Sequence, residues 1–236
     1  MYAEHPIPKK LHPYIEALWS VTPEEEVPAY PVLPDGCVDI IFSPSTGVQI
    51  VGTMTKPQVF RLVPGAQIMG MRFRPGIASN VFRVSVQEFV DRTIQLAEIW
   101  PAMSRQLMEQ LCDQKSLQRR LSVFSQSIQI DFSPTPIQKA INNIVQSAGQ
   151  VSLETVACEA NLSLRQFRRL CGIATGLSPK MLCRILRFRN AQSQLRSKSS
   201  ADLAVACGYY DQSHLIDDFR EFSGTTPANF VLLQQR

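Results

Sequence analysis

Residues 153–182 and 203–230 share one plan, and that duplication narrows the architectures open to this 236-residue chain more than any other pattern in it. Each copy reads as a short helix, a turn, a second helix and then Gly-x-[Ser/Thr]-Pro: Gly176-Leu-Ser-Pro179 in the first, Gly224-Thr-Thr-Pro227 in the second. Two copies are too few for a repeat array, so this is one unit duplicated. Just upstream, Asp131-Phe-Ser-Pro-Thr-Pro136 holds two prolines within three residues, which stops helix propagation and marks a domain boundary. The expected division is an N-terminal domain over 1–130 and a helical domain over 134–236. The helical domain comprises a first unit at 152–176, a linker helix at 179–195 and a second unit at 201–224.

Both units carry the punctuation of a helix-turn-helix. In the first, Ser152 caps a short helix whose Leu153, Val156 and Ala157 face inward. Asn161 sits at the turn, where Asn tolerates the left-handed conformation better than most residues. Ser163 caps the second helix, with Phe167 and Leu170 directed to the core and Leu164, Arg165, Arg168 and Arg169 to the outside. In the second unit Leu203, Ala204 and Cys207 form the inner face, and Gly208 supplies the turn. Tyr209, Leu215, Phe219 and Phe222 read as core, which leaves Gln212, Ser213, His214 and Asp217 outward. On the linker helix Leu182, Ile185, Leu186 and Arg189 fall near one face, with Arg184 and Arg187 displayed elsewhere. About 25 Å long at 1.5 Å per residue, it suits two heads that must reach grooves about 34 Å apart.

Charge gives these helices a partner. Residues 1–133 hold 12 basic and 13 acidic side chains; residues 134–236 hold 12 basic and 7 acidic. Between Ala160 and Ala201 there are nine Lys or Arg and no Asp or Glu. A field of one sign attracts a polyanion, and outward arginines on a helix of groove-filling size can read guanine through paired hydrogen bonds. Double-stranded DNA is the expected partner. The DNA-facing set is Leu164, Arg165, Arg168, Arg169, Arg184, Arg187, Gln212, Ser213, His214 and Asp217. Asp211, Asp217, Asp218 and Glu221 make the second reading helix acidic, so the first unit is expected to supply most of the affinity.

The paired units, Gly-Leu-Ser-Pro-Lys followed by Arg184, Arg187 and Ala191, and the tail from Cys207-Gly-Tyr-Tyr-Asp-Gln-Ser-His-Leu215 to Ser223-Gly-Thr-Thr-Pro-Ala-Asn-Phe230 resemble the DNA-binding domain of the AraC/XylS family of bacterial transcription regulators over about 137–230. The resemblance implies a seven-helix bundle, base contacts at Arg165, Arg168 and Arg169, and sequence-specific control of transcription. The chain departs from the family pattern at Asp217, where Arg is common. Pro34–Phe42, Val51–Pro57 and Gly70–Gly76, with Asp91, Leu96 and Trp100, resemble an N-terminal domain attached to one branch of the same family, over roughly 10–120.

The expected fold class is α+β: a β-rich N-terminal domain, cupin-like or a sandwich, with following helices, then the all-α double helix-turn-helix. Short apolar runs bounded by Pro and Gly, among them Val38–Phe42, Val48–Val51 and Ile68–Phe73, read as strands up to about residue 75. From about Ser85 the spacing of Phe89, Thr93, Leu96 and Ile99 predicts helix, and further helices are expected near 101–112 and 115–128. Alternation puts Asp35, Cys37 and Asp39 on one face and Arg72 and Arg74 on another. If the two meet, Asp35, Asp39, Arg72 and Arg74 form a candidate pocket for a small-molecule effector; a solvated face or a structural ion network explains the same pattern. A rival reading makes Cys37 a reactive thiol.

No GxSxG, HExxH or phosphate loop is present, and the three histidines are far apart. No catalytic residue, cofactor or metal is therefore expected. The first residues lack a basic segment leading into an apolar run, and no stretch is long and apolar enough to span a bilayer. A cytoplasmic location follows as an expectation, with six reduced cysteines and with RNA polymerase or a second copy of the chain as further candidate partners.

Overall fold

A computed structural model describes residues 2–128 and 134–233. The boundary expected at Asp131–Pro136 lies partly outside the described residues, as do 129–130 and the last three positions. The chain runs β1 (Tyr2–His5), β2 (Ile15–Val21), β3 (Val27–Val32), β4 (Val38–Ser43), β5 (Gly47–Val51), β6 (Gln58–Leu62), β7 (Ile68–Phe73), α1 (Ala78–Phe82), β8 (Thr93–Gln95), α2 (Leu96–Ile99), α3 (Pro101–Cys112) and α4 (Leu117–Ser127). Seven helices follow: α5 (Pro136–Gln146), α6 (Leu153–Glu159), α7 (Leu164–Thr175), α8 (Pro179–Gln194), α9 (Ser200–Ala206), α10 (Gln212–Ser223) and α11 (Pro227–Leu233). The molecule is α+β, with β structure first and helices last.

Six strands form an antiparallel sheet in the order β1-β2-β7-β4-β5-β8, and β3 pairs with β6 in a separate ribbon. Alternation decides its faces. Val38, Ile40 and Phe42 of β4 and Met69, Met71 and Phe73 of β7 point into one core, which Leu107, Leu111, Leu121 and Phe124 of α3 and α4 close. The opposite face is polar: Asp39 lies across from Arg72 in register. Gly70 permits this, since a Cβ there would stand 2.3 Å from the Trp19 ring.

One expectation fails here. The stretch 85–99 is not one helix. Ser85 caps a single 3-10 turn, Val86–Phe89, and the chain then enters β8. The cause is Asp91, in the left-handed region at φ 56°, whose carboxylate accepts from Thr55 N at 2.7 Å and Thr55 Oγ1 at 2.5 Å. A tertiary contact to a distant loop overrides the local period. Pro101 opens α3 at its first turn, where the missing N–H costs nothing.

The seven C-terminal helices share a second core. Phe188 of α8 lies at its centre, 4.9 Å from the ring of Phe219 and 5.5 Å from that of Phe222. Both units pack on the linker helix, α7 from the first and α9 and α10 from the second contacting α8.

Candidate nucleic-acid interface

In the first unit the caps and the turn form as the sequence predicts, while Leu170, expected in the core, is only half-buried. Ser152 Oγ accepts from Thr155 N at 3.2 Å, and Asn161 turns the chain at φ 54°. Ser163 and Gln166 then cap α7 reciprocally: Ser163 Oγ accepts from Gln166 N at 3.2 Å and Gln166 Oε1 accepts from Ser163 N at 3.0 Å. Phe167, Cys171, Ala174 and Thr175 are buried, which rotates Arg165, Arg168 and Arg169 into solvent along one stripe. None of the three makes a hydrogen bond or ion pair among the described residues. A backbone N–H and the Ser152 hydroxyl hold the Glu154 carboxyl below the usual range, with a smaller contribution from Arg168. The helix thus presents three guanidinium groups whose donors are all free for an external acceptor.

Leu164 departs from its expected place. One turn before Phe167, it is half-buried against the helical core. It belongs to the packing of α7 rather than to its outer stripe.

Arg184 and Arg187 depart further. Arg184 Nη2 lies 2.6 Å from Asp218 Oδ1 and 2.5 Å from Glu221 Oε2, and Nε donates to Asp218 at 3.0 Å. Its guanidinium covers the Phe222 ring at 5.1 Å. Arg187 Nη1 donates to the Gly208 carbonyl at 3.1 Å, and the group sits 5.5 Å from the Tyr209 ring centre. Both arginines were expected on the DNA face. They are instead committed to the second unit: two of the acidic residues that make α10 unwelcoming to phosphate pair with Arg184, and Arg187 takes a backbone carbonyl and an aromatic face. The uninterrupted basic run of the sequence is correspondingly weaker in space.

In the second unit Gly208 turns the chain at φ 71°, and Asp211 caps α10 by accepting from His214 N at 2.9 Å. Gln212, Ser213, His214 and Asp217 are exposed. His214 Nδ1 is 2.9 Å from Asp211 Oδ1, and Asp217 pairs loosely with Arg220 at 3.6 Å. Tyr210 is 92% exposed and meets His214 edge-on at 5.8 Å. The two adjacent tyrosines divide the labour: Tyr209 enters the core and Tyr210 joins the exposed surface beside the reading helix.

The N-terminal polar cluster forms from three of its four expected members. Arg72 Nε is 3.1 Å from Asp35 Oδ2 and 3.2 Å from Asp39 Oδ2, and Trp19 Nε1 donates to Asp39 Oδ1 at 2.7 Å. Burial opposes charge on Arg72, but Asp39 and Asp35 outweigh it and hold the guanidinium above its ordinary value. Burial raises the Asp39 carboxyl, with Arg72 pulling it back. Arg74 lies beyond the end of β7, exposed, and donates to the His12 carbonyl at 3.1 Å. Alternation was extended one residue too far. Both pairs are made by Arg72 Nε. Cys37 is buried, and its thiol is pushed well above its ordinary value by burial and then by Asp35 and Glu16, which disfavours thiolate chemistry.

Comparison with known proteins follows the same division. A family model described as a helix-turn-helix domain matches residues 156–231, and one described as a domain of unknown function (DUF6597) matches residues 3–95. The chain is 42% identical over 79 residues to the HTH-type transcriptional activator RhaS of Enterobacter sp. (strain 638), covering 32% of this chain and 28% of that protein. It is similar to the DNA-binding domain of AdpA, solved in complex with a target DNA: 27% identity, 41% of this chain and 89% of that one, TM-score 0.39. A transcriptional regulator with an AraC-type DNA-binding domain from Chromobacterium violaceum gives 25% identity, 40% and 87% coverage and a TM-score of 0.37. The chain spans under a third of the length of the curated relatives it matches. The chain thus joins a region that matches the DUF6597 domain model to a region that matches a helix-turn-helix domain model.

Proposed function

We propose that this protein is a sequence-specific DNA-binding transcription regulator whose first helix-turn-helix supplies most of the affinity and base reading. The observation that carries the reading is the outer stripe of α7: Arg165, Arg168 and Arg169 exposed, unpaired, and held on a doubly capped helix. Guanidinium groups so placed match the N7 and O6 acceptors of guanine and the phosphates beside them. Gln212, Ser213, His214 and Asp217 give the second unit a chemistry suited to adenine and cytosine edges, with little attraction for phosphate. The likeness of residues within the second half to RhaS supports control of transcription as the use of this binding. Control by a small effector acting on the N-terminal domain belongs to the same proposal.

The test is selection of duplexes from a random pool by the full-length protein, followed by footprinting. A defined sequence should emerge, and Arg165→Ala and Arg169→Ala should each weaken its binding by about 1–3 kcal/mol. Undiminished binding in both variants would remove the assigned reading helix.

A further inference from the structure

A third arginine of α8, Arg189, takes no part in the second unit. Its Nη2 lies 2.5 Å from Glu16 Oε1 on β2, and its Nη1 donates to the Asp35 carbonyl at 3.2 Å. Both acceptors belong to the N-terminal domain. The pair is largely withdrawn from water, with side-chain exposures of 33% for Arg189 and 22% for Glu16. Burial opposes charge on each, yet Arg189 holds the Glu16 carboxyl below its ordinary value, and Cys37, Glu16 and Asp35 together hold Arg189 above its own. Behind it stands the sheet's own ion cluster: Asp35 accepts from the Cys37 amide at 2.9 Å and pairs with Arg72, which pairs with Asp39. The acceptors for Arg189 are thus set at the register irregularity of β2 and in a braced turn.

Around this pair the two domains interlock. Thr53 Oγ1 donates to the Thr175 carbonyl at 2.7 Å in a buried position, and Gln138 Nε2 donates to the Pro75 carbonyl at 3.1 Å. Gly172, inside α7, lies where a Cβ would stand 2.5 Å from the Gln87 amide nitrogen. A glycine weakens a helix interior; here its bare backbone admits the 3-10 turn of the N-terminal domain. These contacts grip α5, the C-terminal half of α7 and, through Arg189, α8. The reading arginines, at the opposite end of α7, stay in solvent. The docked domain is therefore a seat for the reading head, not a cover over it.

We propose that Glu16 is a positioning residue of the DNA-reading unit: through Arg189 it fixes the linker helix, and with it α7, in the pose that meets the duplex. The proposal rests on the DNA-reading function above and assigns the N-terminal domain a direct part in it. The sign of the expected effect separates it from simple electrostatics. Glu16 is an acid in a protein that binds a polyanion, so replacing it by Arg should strengthen binding if charge alone mattered. If Arg189 touched phosphate itself, Arg189→Glu would weaken binding while Glu16→Arg alone would not, so the weakened binding of Glu16→Arg by itself is the discriminating result.

The experiment measures the affinity of full-length wild type, Glu16→Arg, Arg189→Glu and the double swap for the duplex selected by the wild type. Readings are taken at fixed ionic strength and at a temperature where circular dichroism shows every variant folded, so that stability alone does not move them. Each single variant should bind about tenfold more weakly, as expected when one partner of a partly buried ion pair is left alone, and the double swap should recover most of the loss. If Glu16→Arg does not fold, Glu16→Gln and Arg189→Gln serve: each weakens binding and the double variant is no worse than either. Tight binding by Glu16→Arg, an unrescued swap or multiplicative losses in the Gln series overturn the proposal while wild-type binding stands. A wild type that selects no duplex overturns the DNA-reading function and this proposal together.

Discussion

Replacing Arg184 by Gln removes the charge that faces a nearly buried carboxylate. Asp218 is 8% exposed and Arg184 25%, joined at 2.6 and 3.0 Å. Breaking a fully buried pair costs about 3–5 kcal/mol. The quarter exposure of Arg184 and its second, more exposed partner Glu221 reduce this to about 2 kcal/mol, or roughly 4–8 °C in Tm for a chain of this size. The loss depends on pH with a defined sign. Asp218 sits above the usual carboxylate range, raised by burial and pulled back by Arg184. A raised carboxyl favours the folded state at low pH, and that advantage disappears as pH rises through the folded pKa; Arg184 offsets the disappearance. Without Arg184 the deficit is therefore full near neutral pH and closes as acid protonates Asp218. Urea unfolding of wild type, Arg184→Gln, Asp218→Asn and the double variant between pH 4 and 8 measures this directly. The double variant should cost less than the sum of the singles by about 1–2 kcal/mol at neutral pH. Because Arg184 faces α10 and not phosphate, the salt slope of DNA binding should stay at its wild-type value rather than falling by about 1. Additive losses, a cost below about 0.5 kcal/mol without pH dependence, or a reduced salt slope would refute the assignment.

Three further outcomes are expected. Ser163→Ala should cost about 1 kcal/mol of stability by uncapping α7 and should weaken DNA binding in parallel, read by thermal unfolding and gel shift. Gly70→Ala should cost about 2 kcal/mol or more, because its Cβ cannot share space with the Trp19 ring, and should shift tryptophan emission as the bond to Asp39 breaks. Iodoacetamide on the folded protein should label exposed Cys112 and Cys158 and spare Cys37 and Cys171, the latter with its thiol pushed up to about 12 by burial; rapid loss of Cys37 in a mass-spectrometric time course would reopen its chemistry.

What the sequence discloses is what is local. Ser152, Ser163, Asn161 and Gly208 act within their own turns, so caps and corners were legible without coordinates. The strands β4, β5 and β7 were legible because their apolar runs are short and bounded by Pro or Gly. What depends on a distant partner was not legible. Asp91 breaks the 85–99 period through Thr55. Arg184 and Arg189 look like free basic residues until Asp218, 34 positions on, and Glu16, 173 positions back, come into contact with them. One clue did exist: Arg189 already shared the apolar face of its helix with Leu182, Ile185 and Leu186, which predicts an inward destination for its charge.

The most direct measurement compares full-length wild type with the Arg165→Ala/Arg168→Ala/Arg169→Ala variant on the selected duplex and on a scrambled duplex of equal length. Wild type should prefer the selected sequence by about a thousandfold or more, and the triple variant should keep only weak, sequence-blind binding. A triple variant that retains the wild-type preference would show that α7 does not read the DNA.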